Sequence, residues 1–244
     1  DGISELTMLQ DIVKALDPTR PVTCGMNHVD PVIDNGFATA LDIPGFNYKP
    51  QFYESAYGRL PQRLILGSET ASTVSSRGVY HFPVSFEKEH NMVTHSDNQS
   101  SGYDNEACDW SNTPDIDFLM DEQPWVLGQF VWTGFDYLGE PTPYDTDAWP
   151  SHSSLFGIVD LASLPKDRYY LYRSHWNETD ATLHILPHWN WKGHEGEIIP
   201  VFVYTSYPKA ELFINGKSQG VREKNDSTLQ TRYRLMWNET VYEP

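Results

Sequence analysis

Arg63-Leu64-Ile65-Leu66-Gly67-Ser68-Glu69 is apolar through its middle and turns polar at its last residues. Such a run suits a strand buried on both faces, as in a parallel sheet covered by helices. Before it, Gln51–Leu60 has helical character and stops at Pro61. Further back, Asp42-Ile43-Pro44-Gly45-Phe46-Asn47-Tyr48 reads as a second strand entering a loop, and Pro21-Val22-Thr23-Cys24-Gly25-Met26 as another. Downstream, Trp125-Val126-Leu127-Gly128-Gln129-Phe130-Val131-Trp132 is the fourth. Ile3, Leu6, Leu9, Ile12, Val13 and Leu16 recur at helical spacing until Asp17-Pro18, a weaker helix is expected around Val32–Leu41, and another over Leu164–Trp176. Short apolar strands alternating with helices predict an α/β fold. Four such strands make half of a (β/α)8 TIM barrel, the C-terminal half.

The connection from Thr70 to Pro124 is far longer than an ordinary strand-to-helix loop. It contains one helix, with Thr113 as N-cap and Pro114 at the first helical position, covering Asp115–Glu122. Past residue 176 the pattern changes. Leu183–Leu186, Ile199–Thr205 and Ala210–Ile214 are strand-like runs, and Asn215-Gly216 signals a type I′ hairpin because both turn positions need positive φ. The expected organisation is a half-barrel over residues 1–176, then an all-β immunoglobulin-like sandwich over 177–244. A helix that needs a sheet beneath it stands at the N-terminus and a strand-like stretch at the C-terminus, which suggests a piece of a longer protein.

The 244 residues carry 34 Asp+Glu against 17 Lys+Arg, a formal net charge of −17. That excess argues against nucleic acid or an anionic membrane surface as partner, since both need clustered positive charge. No apolar run approaches the roughly 20 residues of a membrane span. Cys24 and Cys108 form no disulfide framework and match no metal spacing. Asn98, Asn177, Asn225 and Asn238 head Asn-x-Ser/Thr triplets, which say nothing without the compartment.

Barrel enzymes place their chemistry at the C-terminal ends of strands. There stand Asn47-Tyr48, Glu69, and Trp132 followed by Thr133-Gly134-Phe135-Asp136. Glu69 reads as an ion-paired rim residue or a reactive carboxylate. Trp132 reads as a sugar-stacking platform or a cap on the core. Tyr48 reads as a hydroxyl orienting a carboxylate or as a core tyrosine with a wet hydroxyl.

Ile65-Leu66-Gly67-Ser68-Glu69-Thr70-Ala71-Ser72 resembles the nucleophile strand of family 2 glycoside hydrolases, in particular bacterial β-galactosidases of the Bacteroides type. Asp17–Thr23 resembles the stretch leading into that family's fifth barrel strand, Asp42–Tyr48 and Gly128–Pro141 its sixth and eighth strands, Leu164–Tyr170 its last barrel helix, and Ala210–Gly216 the sandwich that follows. The resemblance runs in order along the whole chain. It implies retaining hydrolysis of a terminal β-galactoside, with Glu69 as nucleophile and Tyr48, Asn47, Trp132 and Asp136 as substrate-binding residues. The same likeness leaves β-glucuronidase and β-mannosidase open, and Arg77 stands close enough in sequence to Glu69 to serve a uronic acid. A non-catalytic carbohydrate-binding or scaffold protein, stacking sugars on Trp132, Trp189 and Trp191, is the reading from another class.

Two departures stand out. The family's acid/base glutamate, in an Asn-Glu pair, matches no position here: Asn105-Glu106, Asn177-Glu178 and Asn238-Glu239 all lie outside the strands that would carry it. It is expected before Asp1, so the chain alone is expected to be inactive. Ser72 also stands where some family members have a histidine, which argues against a metal there. No cofactor is expected. An open half-barrel has exposed edges, which implies association with a second copy or local rearrangement. A periplasmic or secreted location follows by analogy with the family.

Overall fold

The computed structural model describes residues 2–87, 95–139 and 153–244. By packing, the chain divides into two compact units: residues 1–72 with 110–132, and residues 73–109 with 133–244. Each is described by itself.

The first unit runs α1 (Gly2–Leu16), β1 (Thr23–Met26), α2 (Val29–Asp34), β2 (Ile43–Asn47), α3 (Tyr53–Arg59), β3 (Ile65–Thr70), α4 (Pro114–Asp121) and β4 (Val126–Val131). The four strands form one sheet in the order β1-β2-β3-β4, and every pair is parallel. Helices between the strands supply the crossovers that parallel pairing demands. Phe46, Ile65, Met26 and Leu41 pack with Tyr53, Ala56 and Leu60 to form the unit's core. Glycine is required in β2, because a Cβ on Gly45 would stand 2.8 Å from Thr23 Oγ1 and 2.9 Å from Ser68 Cβ.

Two helices differ from their sequence expectation. The stretch expected around Val32–Leu41 is a helix at Val29–Asp34 and a separate single turn at Ala38–Ala40. Gly36 between them adopts φ +86°, which ends the first helix. In α1 only Leu6 is buried, while Leu9, Ile12, Val13 and Leu16 remain exposed. Helix α4 begins where Thr113 and Pro114 place it. No helix among the described residues is long and apolar enough to cross a membrane.

The second unit contains α5 (Asp167–Trp176), β5 (Leu183–Leu186), β6 (Val201–Thr205), β7 (Lys209–Ile214), β8 (Lys217–Glu223), α6 (Leu229–Tyr233) and β9 (Leu235–Trp237). β5, β6 and β9 form an antiparallel sheet, and β7 and β8 a hairpin. Asn215 (φ +49°) and Gly216 (φ +77°) make its turn, as their types require. Val201, Val203, Leu212, Leu235 and Trp237 pack between the two small sheets.

Residues 73–87 and 95–109 contain no helix or strand run, yet much of this backbone is buried. Buried cations supply its missing donors. Arg168, fully buried, donates to the carbonyls of Thr73, Phe156 and Gly157. Lys166, also buried, donates to Ser75 O at 2.6 Å and Leu155 O at 3.2 Å. Asp104 faces Arg168 Nε at 3.8 Å and accepts from the Tyr204 hydroxyl at 2.7 Å. Burial pushes the Asp104 carboxyl up to about 7, against the opposing pull of Arg168. The folded chain therefore holds a proton there that the unfolded chain has released. The associated stability is complete below pH about 4 and is lost as pH rises through about 7. Urea midpoints measured from pH 4 to 8 should show that decline in the native chain and a flatter profile in Asp104→Asn. Parallel profiles would refute the assignment.

Candidate active site

Because β2, β3 and β4 are parallel neighbours, their C-terminal ends lie along one edge of the sheet. Asn47 pairs in register with Glu69, across an irregularity between Phe46 and Asn47. Bulges of this kind are common beside active sites, where they re-aim side chains. The next residue, Tyr48, donates its backbone N–H to Glu69 O at 2.9 Å. On the other side, Trp132 N donates to Thr70 O at 2.9 Å. The structure thus brings Asn47, Tyr48, Glu69 and Trp132 together along one rim.

Two residues leave ordinary backbone space there. Tyr48 has φ +54° and Ala71 has φ +46°. For a residue as bulky as tyrosine this is an uncommon conformation, held only where the surroundings over-determine it. Those surroundings are visible. Tyr48 is buried, its ring lies edge-on to Trp110 at 4.7 Å, and its hydroxyl accepts from Ser72 Oγ at 2.8 Å. Ser72 N in turn donates to Ser111 Oγ at 2.8 Å. Ser72 is a partner of Tyr48 that sequence reading did not assign.

Asn47 Oδ1 accepts from Ser68 Oγ at 2.7 Å. It fits because position 25 is glycine: a Cβ there would stand 2.9 Å from Asn47 Oδ1. Thr70 Oγ1 donates to Gln129 Oε1, and Gln129 Nε2 to Asp121 Oδ2, each at 2.6 Å. That chain braces β3 against β4 and α4. Glu69 stands between these braces, half-buried. Among the described residues its carboxylate takes part in no hydrogen bond or ion pair, with Tyr48 or any other group. Among the described residues the rim-ion-pair alternative thus finds no partner, and the carboxylate is braced and half-buried.

Asp136 belongs to the second unit, where it is buried. Its Oδ1 accepts from Lys166 Nζ and from Gly157 N, both at 2.8 Å. Burial raises the Asp136 carboxyl and lowers the Lys166 ammonium to about 8. Gly157 has to be glycine, since a Cβ would stand 2.1 Å from Asp136 N. Lys166 was invisible to sequence reading, because one lysine before a helix carries no pattern. Arg77, a candidate for recognising a uronic acid, is bonded through Nε to Asp160 Oδ2 at 2.5 Å. Trp189 donates its indole N–H to Glu243 O at 3.2 Å and Trp191 to His188 O at 2.7 Å, so both indoles are engaged within the second unit. Of the carboxylates and histidines described, the group spaced to hold a metal is in the second unit and does not include Glu69.

Residues 196–244 match a family described as a domain of unknown function, DUF4982. The chain is 39% identical over 233 residues to the β-galactosidase BoGH2A of Bacteroides ovatus, covering 93% of this chain and 27% of that protein. It is similar in structure to a β-glycosidase from Bacteroides vulgatus, with TM-score 0.74 and 31% identity, over 97% of this chain and 31% of that one. A glycosyl hydrolase family 2 member from Bacteroides cellulosilyticus matches with TM-score 0.70 and 27% identity, over 99% of this chain and 30% of its own. The chain therefore spans about a third or less of the length of each of these relatives.

Proposed function

Since the chain is related to the family 2 glycoside hydrolases along nearly its whole length, we propose that it supplies the nucleophile side of a retaining β-galactosidase site. The observation that carries this reading is Glu69: a carboxylate on the rim of a parallel sheet, braced on both sides, with no partner among the described residues.

A Glu69 oxygen attacks the anomeric carbon as the bond to the leaving oxygen breaks. The leaving oxygen takes its proton from a second carboxylic acid about 5–5.5 Å from the first. That acid, now a carboxylate, removes a proton from water. The water oxygen attacks the same carbon and frees Glu69. We place the second carboxylate outside these residues. Trp132 presents its ring to the apolar face of the sugar. Tyr48 and Asn47 hold the rim beside the nucleophile and offer polar atoms to the sugar hydroxyls. Asp136 contributes through the segment after Trp132 that it and Lys166 fix. The likeness to the Bacteroides ovatus β-galactosidase supports a neutral galactoside over a uronic acid.

The strand order β1-β2-β3-β4 supports reading residues 1–176 as the last four strands of a (β/α)8 barrel. The small antiparallel sheets support an immunoglobulin-like sandwich over 177–244. Leu127 and Phe130, exposed on edge strand β4, are what an open barrel edge that pairs with a second copy would present.

Trapping tests the assignment. The chain is exchanged for the equivalent segment of the Bacteroides ovatus β-galactosidase, and the chimera is treated with dinitrophenyl 2-deoxy-2-fluoro-β-galactoside. Peptide mass spectrometry should find the fluorosugar on Glu69. Label on another carboxylate in a turning-over chimera would overturn the reading.

A further inference from the structure

We propose that His81, His95 and Glu106 form a binding site for a divalent transition metal of the zinc class. The proposal is independent of the glycosidase reading. The three residues lie in the second unit, and one donor atom from each falls within 4.8 Å of the others.

The geometry brackets a tetrahedral site. Zinc–nitrogen and zinc–oxygen bonds of about 2.0–2.2 Å put neighbouring ligands about 3.3–3.6 Å apart. His95 Nε2 is 2.8 Å from Glu106 Oε1, and His81 Nδ1 is 3.9 Å from the same oxygen. Small ring movements bring both to the required spacing. The imidazole centroids are 3.4 Å apart and the ring planes are tilted by 31°, so coordination would rotate the rings apart.

The second observation is the tautomer of His81. Its Nε2 faces Asp97 Oδ2 at 3.3 Å. A carboxylate there fixes the proton on Nε2 and leaves the lone pair of Nδ1 pointing inward. That Nδ1 is buried and, among the described residues, has no hydrogen-bond partner. A histidine oriented through one nitrogen by a carboxylate and open at the other is the arrangement found around bound zinc. Glu106 is prepared in the same way. Its side chain is 4% exposed and its Oε2 accepts from Ser101 N at 3.1 Å, leaving Oε1 toward the histidines. The histidine side chains are 21% and 19% exposed, enough to admit the ion and a water as fourth ligand.

Two imidazoles and one carboxylate favour zinc-class ions over calcium or magnesium, which prefer all-oxygen shells. A bound ion would tie together residues 81, 95 and 106, none of which lies in a helix or strand.

The test is calorimetric titration of Zn²⁺ into the metal-stripped 244-residue chain in a Cys24→Ser/Cys108→Ser background. One site per chain is expected. His81→Ala and Glu106→Gln should each weaken it at least about 100-fold, and Asp97→Asn by about 10–100-fold. His194→Ala, at an exposed His–Glu pair elsewhere, should leave it unchanged. No binding, or equal affinity in His81→Ala, overturns the proposal. Anomalous scattering at the zinc edge from unmodified chain covers variants that misfold. Density between His81 Nδ1, His95 Nε2 and Glu106 Oε1 supports the site, and density only elsewhere rejects it.

Discussion

Glu69→Gln in the Bacteroides ovatus chimera should lower kcat by about 10⁴-fold or more, on the scale seen when a covalent nucleophile is removed. The amide matches the carboxylate in shape but cannot form the glycosyl-enzyme. Glu69 makes no side-chain hydrogen bond or ion pair among the described residues, so the substitution breaks no contact that holds the rim. KM should therefore change much less than kcat. A merely structural carboxylate would give the opposite pattern, with lost stability and retained turnover in the folded fraction. Rescue distinguishes the roles further. In Glu69→Ala, azide entering the vacated space should attack the anomeric carbon and yield a galactosyl azide of inverted configuration. Wild-type turnover in Glu69→Gln would remove the nucleophile assignment. The 244-residue chain alone should not hydrolyse nitrophenyl β-galactoside. Turnover by it that Glu69→Gln abolished would place both carboxylates within these residues.

What the sequence revealed follows from how local each signal is. Strand β3 was legible because Leu64-Ile65-Leu66 has no other good use in a sheet protein, and the β7–β8 turn because Asn215-Gly216 meets a strict backbone requirement. Glu69, Tyr48, Asn47 and Trp132 were found together because position at a strand end is itself a sequence property. The partnership of Tyr48 with Ser72 was not, since it depends on two left-handed residues that no propensity predicts. Helix α1 misled in detail. Its apolar spacing was real, but burial depends on what faces it, and only Leu6 reaches the core. Residues 73–87 and 95–109 were the least readable. Their backbone is held by Arg168 and Lys166, donated from more than ninety residues away, rather than by any periodic element. His81, His95 and Glu106 escaped for the same reason, because their spacing fits no metal motif and folding alone makes them neighbours.

Lys166→Met should be among the most destabilising single changes in the second unit. The side chains of Lys166 and Asp136 are 1% and 5% exposed, and their charges are 2.8 Å apart. Removing one member strands a buried carboxylate, which typically costs about 3–5 kcal/mol. Two further losses fall on the backbone, since Lys166 Nζ also serves Ser75 O and Leu155 O. The effect is local, so it is best read by hydrogen exchange. Ser75 N bonds to Leu155 O and Ile158 N to Thr133 O, both at 3.0 Å, and both bonds lie in the segments that Lys166 and Asp136 hold together. Their opening free energies should fall by about 3–5 kcal/mol. The double variant Lys166→Met/Asp136→Asn should recover part of that loss, because it removes the stranded charge while keeping a group able to accept from Gly157 N. Recovery would show that the penalty lies in the uncompensated carboxylate. A double variant as unstable as the single would place it in the lost carbonyl contacts. Protection within about 1 kcal/mol of the native chain in Lys166→Met would mean that the buried pair does not hold this segment at all.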